Sequence, residues 1–198
     1  MDENKEIVKI SRWDQYFYNI AYEVSKNSRC LSRQIGAVIV REDKFIVSTG
    51  YNGPPMGFPN PNSTQWFNKV AEAIGDRADA AYAKFINKDG KSIMLTAAEM
   101  FNTCPRKLLG YESGESVHLC PCAHAERNAI DISGRLGHPT DGCVMYLTCS
   151  IPCRDCSLSI VNAGIKEVIV TELVDYESEG FKGADILKEC GVEVRTYN

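Results

Sequence analysis

The sequence predicts a single α/β domain in which crossover helices cover a partly parallel sheet of about five strands. Three observations predict it. An amphipathic helix precedes a β-branched hairpin, and apolar strands then alternate with glycine-terminated helices through the second half of the chain. The 198 residues, 44% of them hydrophobic, are enough to bury one core.

Taken in order, WDQYFYNIAYEVSK (13–26) repeats Trp13, Phe17, Ile20, Ala21 and Val24 at threes and fours, the spacing of one helix face. IGAVIV (35–40) and KFIVSTG (44–50) are apolar, β-branched runs split by the polar REDK, which makes them a hairpin. YNGPPMGFPNPN is dense in turn formers and must be a loop, a class of segment that often carries function when a scaffold holds it. Residues 67–87 and 93–101 read as helical, broken at KDGKS, and about 59–119 reads as a loop-helical region inserted into the single 1–198 domain. HAERNAIDISG opens a helix that ends near Gly134, and CVMYLTC is a strand. PCRDCSLSIVNAG is a helix closing at Gly164, with Pro152 suited to its first turn. KEVIVTEL, DILKEC and VEVRTY read as strand, helix and strand. No internal repeat or low-complexity tract is present.

Composition excludes several classes of function. The formal charge is −4, from 22 Lys and Arg against 26 Asp and Glu, with no basic block, so a general nucleic-acid binder is not expected. No apolar run approaches the length of about 18 residues that a membrane span needs. The charged opening MDENKEIVKISRWD has no leader pattern, and a cytoplasmic protein is the expectation. The cysteines number nine, an odd count, and include a CxxC, which favours reduced thiols and metal over a disulfide scaffold.

The chemistry concentrates in two stretches. In PCRDC, Cys153 and Cys156 stand three apart on one helix face, near a helix N-terminus that favours the metal-binding thiolate. Alone, this pair equally fits a thioredoxin-like redox motif. His124-Ala125-Glu126 supplies what that motif lacks, a third ligand; it is not HExxH, so the peptidase reading has little support. One nitrogen and two sulfurs leave zinc a fourth position for water, the pattern of a catalytic site. Glu126 is then placed to move that water's proton. The plainer alternative makes His124 a packing or capping residue and Glu126 a surface acid of the first turn. Together, H-x-E and P-C-x-x-C form the pattern of zinc deaminases.

CLSRQIGAVIV, STGYNGPP, HAERNAI, PCRDC and NAGIKEVI occur in that order and cover most of the chain outside the inserted region. Through them the sequence resembles the cytidine/deoxycytidylate deaminase superfamily, most closely its phage and microbial deoxycytidylate (dCMP) deaminases. The resemblance implies a three-layer α/β/α fold with a central mixed sheet, and zinc-dependent hydrolysis of dCMP to dUMP and ammonia, feeding dTMP synthesis. It implies zinc on His124, Cys153 and Cys156, with Glu126 protonating N3 and the departing amine. Backbone N–H groups around Ala125 and residues 150–153 would face the tetrahedral centre. It further places Asn52 at the sugar, Asn128 on the substrate side of its helix, Arg135 at the phosphate and Tyr176 near the base. Each has a plainer alternative: a turn former, a solvated helix-end charge or a loop anchor. One departure is visible: three residues, Cys149, Ser150 and Ile151, separate the strand threonine from Pro152, where the family usually has two.

Ligands are left over once that triad is assigned. His118, Cys120 and Cys122 alternate, so on an extended strand all three face one way, whereas in a turn one drops out. The resemblance implies a second, structural zinc here, on Cys30, Cys104 and Cys120 with His118 or Cys122 as the fourth ligand; inert buried thiols are the alternative. Cys143, Cys149 and Cys190 are expected to be core or free thiols. The resemblance also implies a homo-oligomer, often a hexamer, activated by dCTP with Mg2+ and inhibited by dTTP near GYNGPP, in the host cytoplasm if phage-encoded. Rival activities are dCTP or hydroxymethyl-dCMP deamination by the same mechanism. A catalytically idle, zinc-stabilised nucleotide sensor is a further rival, against which the intact Glu126 speaks.

Overall fold

The computed structural model describes residues 11–77, 81–112, 114–175 and 180–197. It begins with α1 (Arg12–Ser25), β1 (Gly36–Val40) and β2 (Ile46–Tyr51). An intervening region follows, with α2 (Thr64–Ile74), β3 (Asp76–Arg77), β4 (Tyr82–Ile86), β5 (Ser92–Thr96), α3 (Ala97–Asn102) and α4 (Pro105–Leu108). The remainder alternates as α5 (Ala125–Leu136), β6 (Val144–Leu147), α6 (Arg154–Asn162), β7 (Glu167–Val170), α7 (Gly183–Glu189) and β8 (Glu193–Thr196).

β1 is buried along its whole length, and its period of two explains the layers. Ala37 and Ile39 face a core shared with α5, α6 and α7, whereas Val38 and Val40 face one shared with α1 through Phe17 and Ala21. The five-stranded sheet has the order β2-β1-β6-β7-β8. β1 runs antiparallel to β2 and β6, while β6, β7 and β8 run parallel to one another. The result is the mixed sheet between helical layers that the sequence predicts. α1 is also tied to the far edge of the sheet. The buried carboxylate of Asp14 accepts from Arg195 Nη1 at 2.8 Å and from the Tyr146 hydroxyl at 3.2 Å.

Two expectations need correction. Residues 67–87 are helical only as far as Ile74, and 93–101 is strand before it is helix. The missing helix is a small antiparallel sheet, β3-β4-β5. In YAKFI, Ala83 and Phe85 are buried while Tyr82, Lys84 and Ile86 are exposed, a period of two that the apolar Tyr82 and Ile86 on the exposed face obscure. KDG is the turn of this hairpin, with Gly90 at φ 74°. Trp66, Phe67, Phe85 and Met100 form a separate core beneath it. Pro152 lies outside the first turn of α6, whose N-cap is Cys153. No described helix is long and apolar enough to cross a membrane.

Close packing at Gly50 sets the position of α5. A Cβ on Gly50 would meet the Ala125 carbonyl oxygen at 2.3 Å and the Ala129 backbone nitrogen at 2.4 Å. Both obstacles are backbone, so neither can rotate away. Gly50→Ala is therefore expected to lower stability by about 2–3 kcal/mol, at the upper end of overpacking costs, read as a lower urea midpoint at unchanged slope. A wild-type midpoint would show that α5 does not rest on β2 in this way.

Candidate active site

The motif residues all lie at helix beginnings. His124 is the N-cap of α5 in extended conformation, with Glu126 in the first turn behind it. Cys153 is the N-cap of α6, and Cys156 lies in its first turn. The chain entering α5 is pinned by paired backbone hydrogen bonds between Gly53 and Ala123, at 2.9 and 3.1 Å. Gly36 N–H donates to Thr148 Oγ1 at 2.9 Å, fixing the end of β6 from which the chain continues to Cys153.

His124 Nδ1 lies 3.4 Å from Cys153 Sγ and 3.3 Å from Cys156 Sγ. Among the described residues, these three ligand atoms form the group lying within 4.8 Å of one another. Zinc bond lengths at a tetrahedral angle would set nitrogen and sulfur about 3.5 Å apart, so the donor set fits zinc without rearrangement. Without metal the three groups share protons among themselves, and zinc binding would displace those on His124 and Cys156. A hydrogen bond from Cys156, with help from His124, lowers the Cys153 thiol to about 4, and Cys153 in turn raises the His124 imidazole to about 9. Cys156 is pushed up as the thiol that donates to Cys153. Glu126 is only 4% exposed, and desolvation raises its pKa against the opposing pull of His124. A buried acid beside a His–Cys–Cys zinc site is equipped to pass protons to and from a bound molecule.

These groups open into a cavity of about 290 Å³. Asn52 lines it and is also a brace. Its Oδ1 accepts from Ser28 Oγ at 2.7 Å and from Ile35 N–H at 2.8 Å, and its Nδ2 donates to the Arg33 carbonyl at 2.7 Å. One amide N–H is left for a ligand. Ala125 is fully buried as the first residue of α5, where its N–H has no acceptor within the helix. Asn128 and Arg135 lie elsewhere. With Gly53, Pro54 and Met56 they line a second cavity of about 450 Å³, and Asn128 Nδ2 donates to the Tyr51 carbonyl at 2.7 Å. Helical geometry accounts for this, since two residues along a helix is about 200° of rotation, which turns Asn128 away from Glu126. Tyr176 lies outside the described residues.

Residues that the motifs did not single out complete the first cavity. Arg33, Arg106 and Arg154 line it, as do Cys149 and Ile151. Cys149 is 8% exposed, its thiol pushed well up by desolvation. Arg106 comes from α4, and its charge is felt at both His124 and Cys120. The signal available in the sequence was its place two residues after Cys104, a candidate ligand.

Four of the leftover cysteines, Cys30, Cys104, Cys120 and Cys122, line the same cavity as pairwise neighbours, though among the described residues no three of their sulfurs lie within 4.8 Å of one another. The Cys120 thiol contacts those of Cys104 and Cys122, and Cys122 contacts Cys30. Without metal, neighbouring thiols push one another's acidity in opposite directions along this row. Cys104 first, then Cys122, hold Cys120 down to about 3, and Cys122 lowers Cys30 to about 6. Cys104 and Cys122 are themselves raised. His118 sits exposed on the 3-10 turn Val117–Leu119 and does not line the cavity. All nine cysteines are free.

Fold and site together define a class: a three-layer α/β/α protein in which two helix N-termini build a His–Cys–Cys zinc site beside a buried carboxylate. The profile of the cytidine and deoxycytidylate deaminase zinc-binding region matches residues 11–172. The chain belongs to this family. Its relatives include the deoxycytidylate deaminase of Enterobacteria phage T2, 35% identical over 182 residues that cover 88% of this chain and 87% of that one. The deoxycytidylate deaminase of Saccharomyces cerevisiae is 30% identical across 100% of this chain, but the chain spans only 49% of it, about half its length. A crystal structure of the dCMP deaminase from cyanophage S-TIM5, in complex with dCMP and dUMP, shares the fold. Its TM-score is 0.56 at 24% identity, covering 92% of this chain and 94% of that one.

Proposed function

We propose that the protein hydrolyses dCMP to dUMP and ammonia. The carrying observation is the buried Glu126 carboxylate sharing one arginine-walled cavity with the His124, Cys153 and Cys156 donor set. When bound there, zinc supplies a water whose pKa is lowered towards ~7. Glu126 would carry one proton of the attacking water to N3 of the pyrimidine, then take the second from the hydroxyl now on C4 and pass it to the amine. The new C4–O bond replaces the C4–N bond, and ammonia leaves. The remaining Asn52 N–H is available to the sugar. The first-turn N–H groups of α5, Ala125 included, offer donors where negative charge develops. The cavity's arginines suit a nucleotide rather than a nucleoside.

The test is ammonia release by the zinc-loaded protein against dCMP, dCTP, hydroxymethyl-dCMP, CMP and deoxycytidine. dCMP is expected to give the highest kcat/KM. A higher value for dCTP or the hydroxymethyl nucleotide would move the substrate, and no release from any would leave a nucleotide sensor.

The Cys30, Cys104, Cys120 and Cys122 sulfurs are proposed to hold a second zinc, an all-thiolate set of the structural type, with Cys122 rather than His118 as the fourth ligand. The expected metal content is about two zincs per chain, falling to about one in Cys120→Ser with deamination retained in part. A wild-type content of one would deny the second site. The second cavity, which includes Arg135 and the Gly53–Gly57 loop, is proposed to take the dCTP–Mg2+ activator and the dTTP inhibitor in a homohexamer. Light scattering with each nucleotide tests the assembly, and rate against effector concentration tests the regulation.

A further inference from the structure

We infer that Arg106, carried by the intervening region rather than by the central sheet, binds the substrate phosphate and sets the preference for nucleotide over nucleoside. This rests on the deaminase reading proposed above. Arg106 lines the cavity that holds His124 and Glu126. It is half-buried, and its Nη1 donates to the Glu115 carbonyl, which anchors one corner of the guanidinium. Its Nε is buried and meets no hydrogen-bond partner among the described residues.

The nearby acid is already taken, because the Glu115 carboxylate pairs with Lys88 at 2.7 Å. The other arginines of the wall differ. Arg154 pairs with Asp155 in the open, and Arg33 is exposed. Among the described residues no carboxylate forms an ion pair with Arg106, and a half-buried, unpaired guanidinium is costly to keep, a cost offset when an anion binds. Phosphate is the matching anion, since the planar fork of arginine donates to two of its oxygens at once. The backbone here is braced: the Arg106 carbonyl accepts from Tyr111 N–H at 2.9 Å, and Cys104, two residues earlier, is buried. By this arrangement the intervening region presents the cation while the central fold presents the acid and the metal ligands.

The experiment compares wild type, Arg106→Gln and Arg106→Lys in two readouts. One is kcat/KM on dCMP and on deoxycytidine. The other is calorimetric affinity for dUMP and for deoxyuridine. In Arg106→Gln the dCMP-to-deoxycytidine ratio should fall by about 30-fold or more, as expected for lost charge-assisted hydrogen bonds, with dUMP affinity falling in parallel. Arg106→Lys should recover part of both. A variant that merely loosens the intervening region lowers turnover of both substrates and keeps the ratio, which would overturn the inference. If wild type deaminates neither substrate, the proposed reaction fails, and the binding readout still decides: selective loss of dUMP supports the role of Arg106. Equal affinities of wild type for dUMP and deoxyuridine, or no binding of either, overturns it.

Discussion

Glu126→Ala is expected to cut turnover of dCMP by about 1,000-fold or more, within the range for removing an acid–base group, while zinc remains bound. The carboxylate is 4% exposed, and its pKa is raised chiefly by desolvation. Burial of that kind burdens the folded state, so its removal should leave the melting temperature unchanged or higher. The metal is untouched because the three ligand atoms belong to His124, Cys153 and Cys156. Glu126→Gln, which keeps the shape and removes the proton transfer, should be equally inactive. Activity within tenfold of wild type in a zinc-replete Glu126→Ala protein would remove Glu126 from the mechanism. Kinetics and metal analysis on one preparation make both checks.

His124→Ala should remove one equivalent of zinc and all measurable ammonia release. His124 supplies the single nitrogen of the donor set, its Nδ1 within 3.4 Å of both sulfurs. Without it two thiols remain, one of them fully buried and held as the thiol beside Glu126. Zinc binding at sites of this kind is worth about 10 kcal/mol or more, so losing one of three protein ligands costs several orders of magnitude in affinity. The wild-type protein should also melt at a higher temperature with zinc than after chelation, and His124→Ala should lose most of that difference. Zinc retained at full stoichiometry in His124→Ala would mean that the metal sits elsewhere. Metal analysis after dialysis against a weak chelator separates these outcomes.

Much of this site is local, and what is local was legible. Cys153 and Cys156 come from one turn, and His124 and Glu126 from another, so spacing alone joins each pair. The inner strands of the large sheet announce themselves because both of their faces are buried, as in β1 and β6. The β4–β5 hairpin hid because apolar residues stand on both its faces: Ala83, Phe85 and Leu95 are buried, whereas Tyr82, Ile86 and Met94 are exposed and erase the alternation. Its turn signal, Asp89-Gly90, stood in plain view as a break between supposed helices.

Asn128 and Arg135 show a different loss. Their spacing from His124 puts them on one stripe of α5, but that stripe faces the Pro54–Met56 loop rather than the cavity with Glu126. Helical periodicity already separates them from Glu126; what it does not say is which stripe faces the metal. Arg106 was only hinted at by its closeness to Cys104, for a tertiary reason. Its place depends on α4 reaching the same cavity as the start of α5, and no local pattern encodes that approach. The four-thiol wall lies between these cases. The alternation of Cys120 and Cys122 is local, whereas the approach of Cys30 and Cys104 is not.

The most direct measurement is the stoichiometry of ammonia and dUMP formed from dCMP by the zinc-loaded wild-type protein, with Glu126→Ala alongside. The mechanism proposed for Glu126 and the His124, Cys153, Cys156 triad predicts one ammonia per dUMP, over many turnovers, abolished in the variant. A zinc-replete wild-type protein that binds dCMP and releases no ammonia would contradict it.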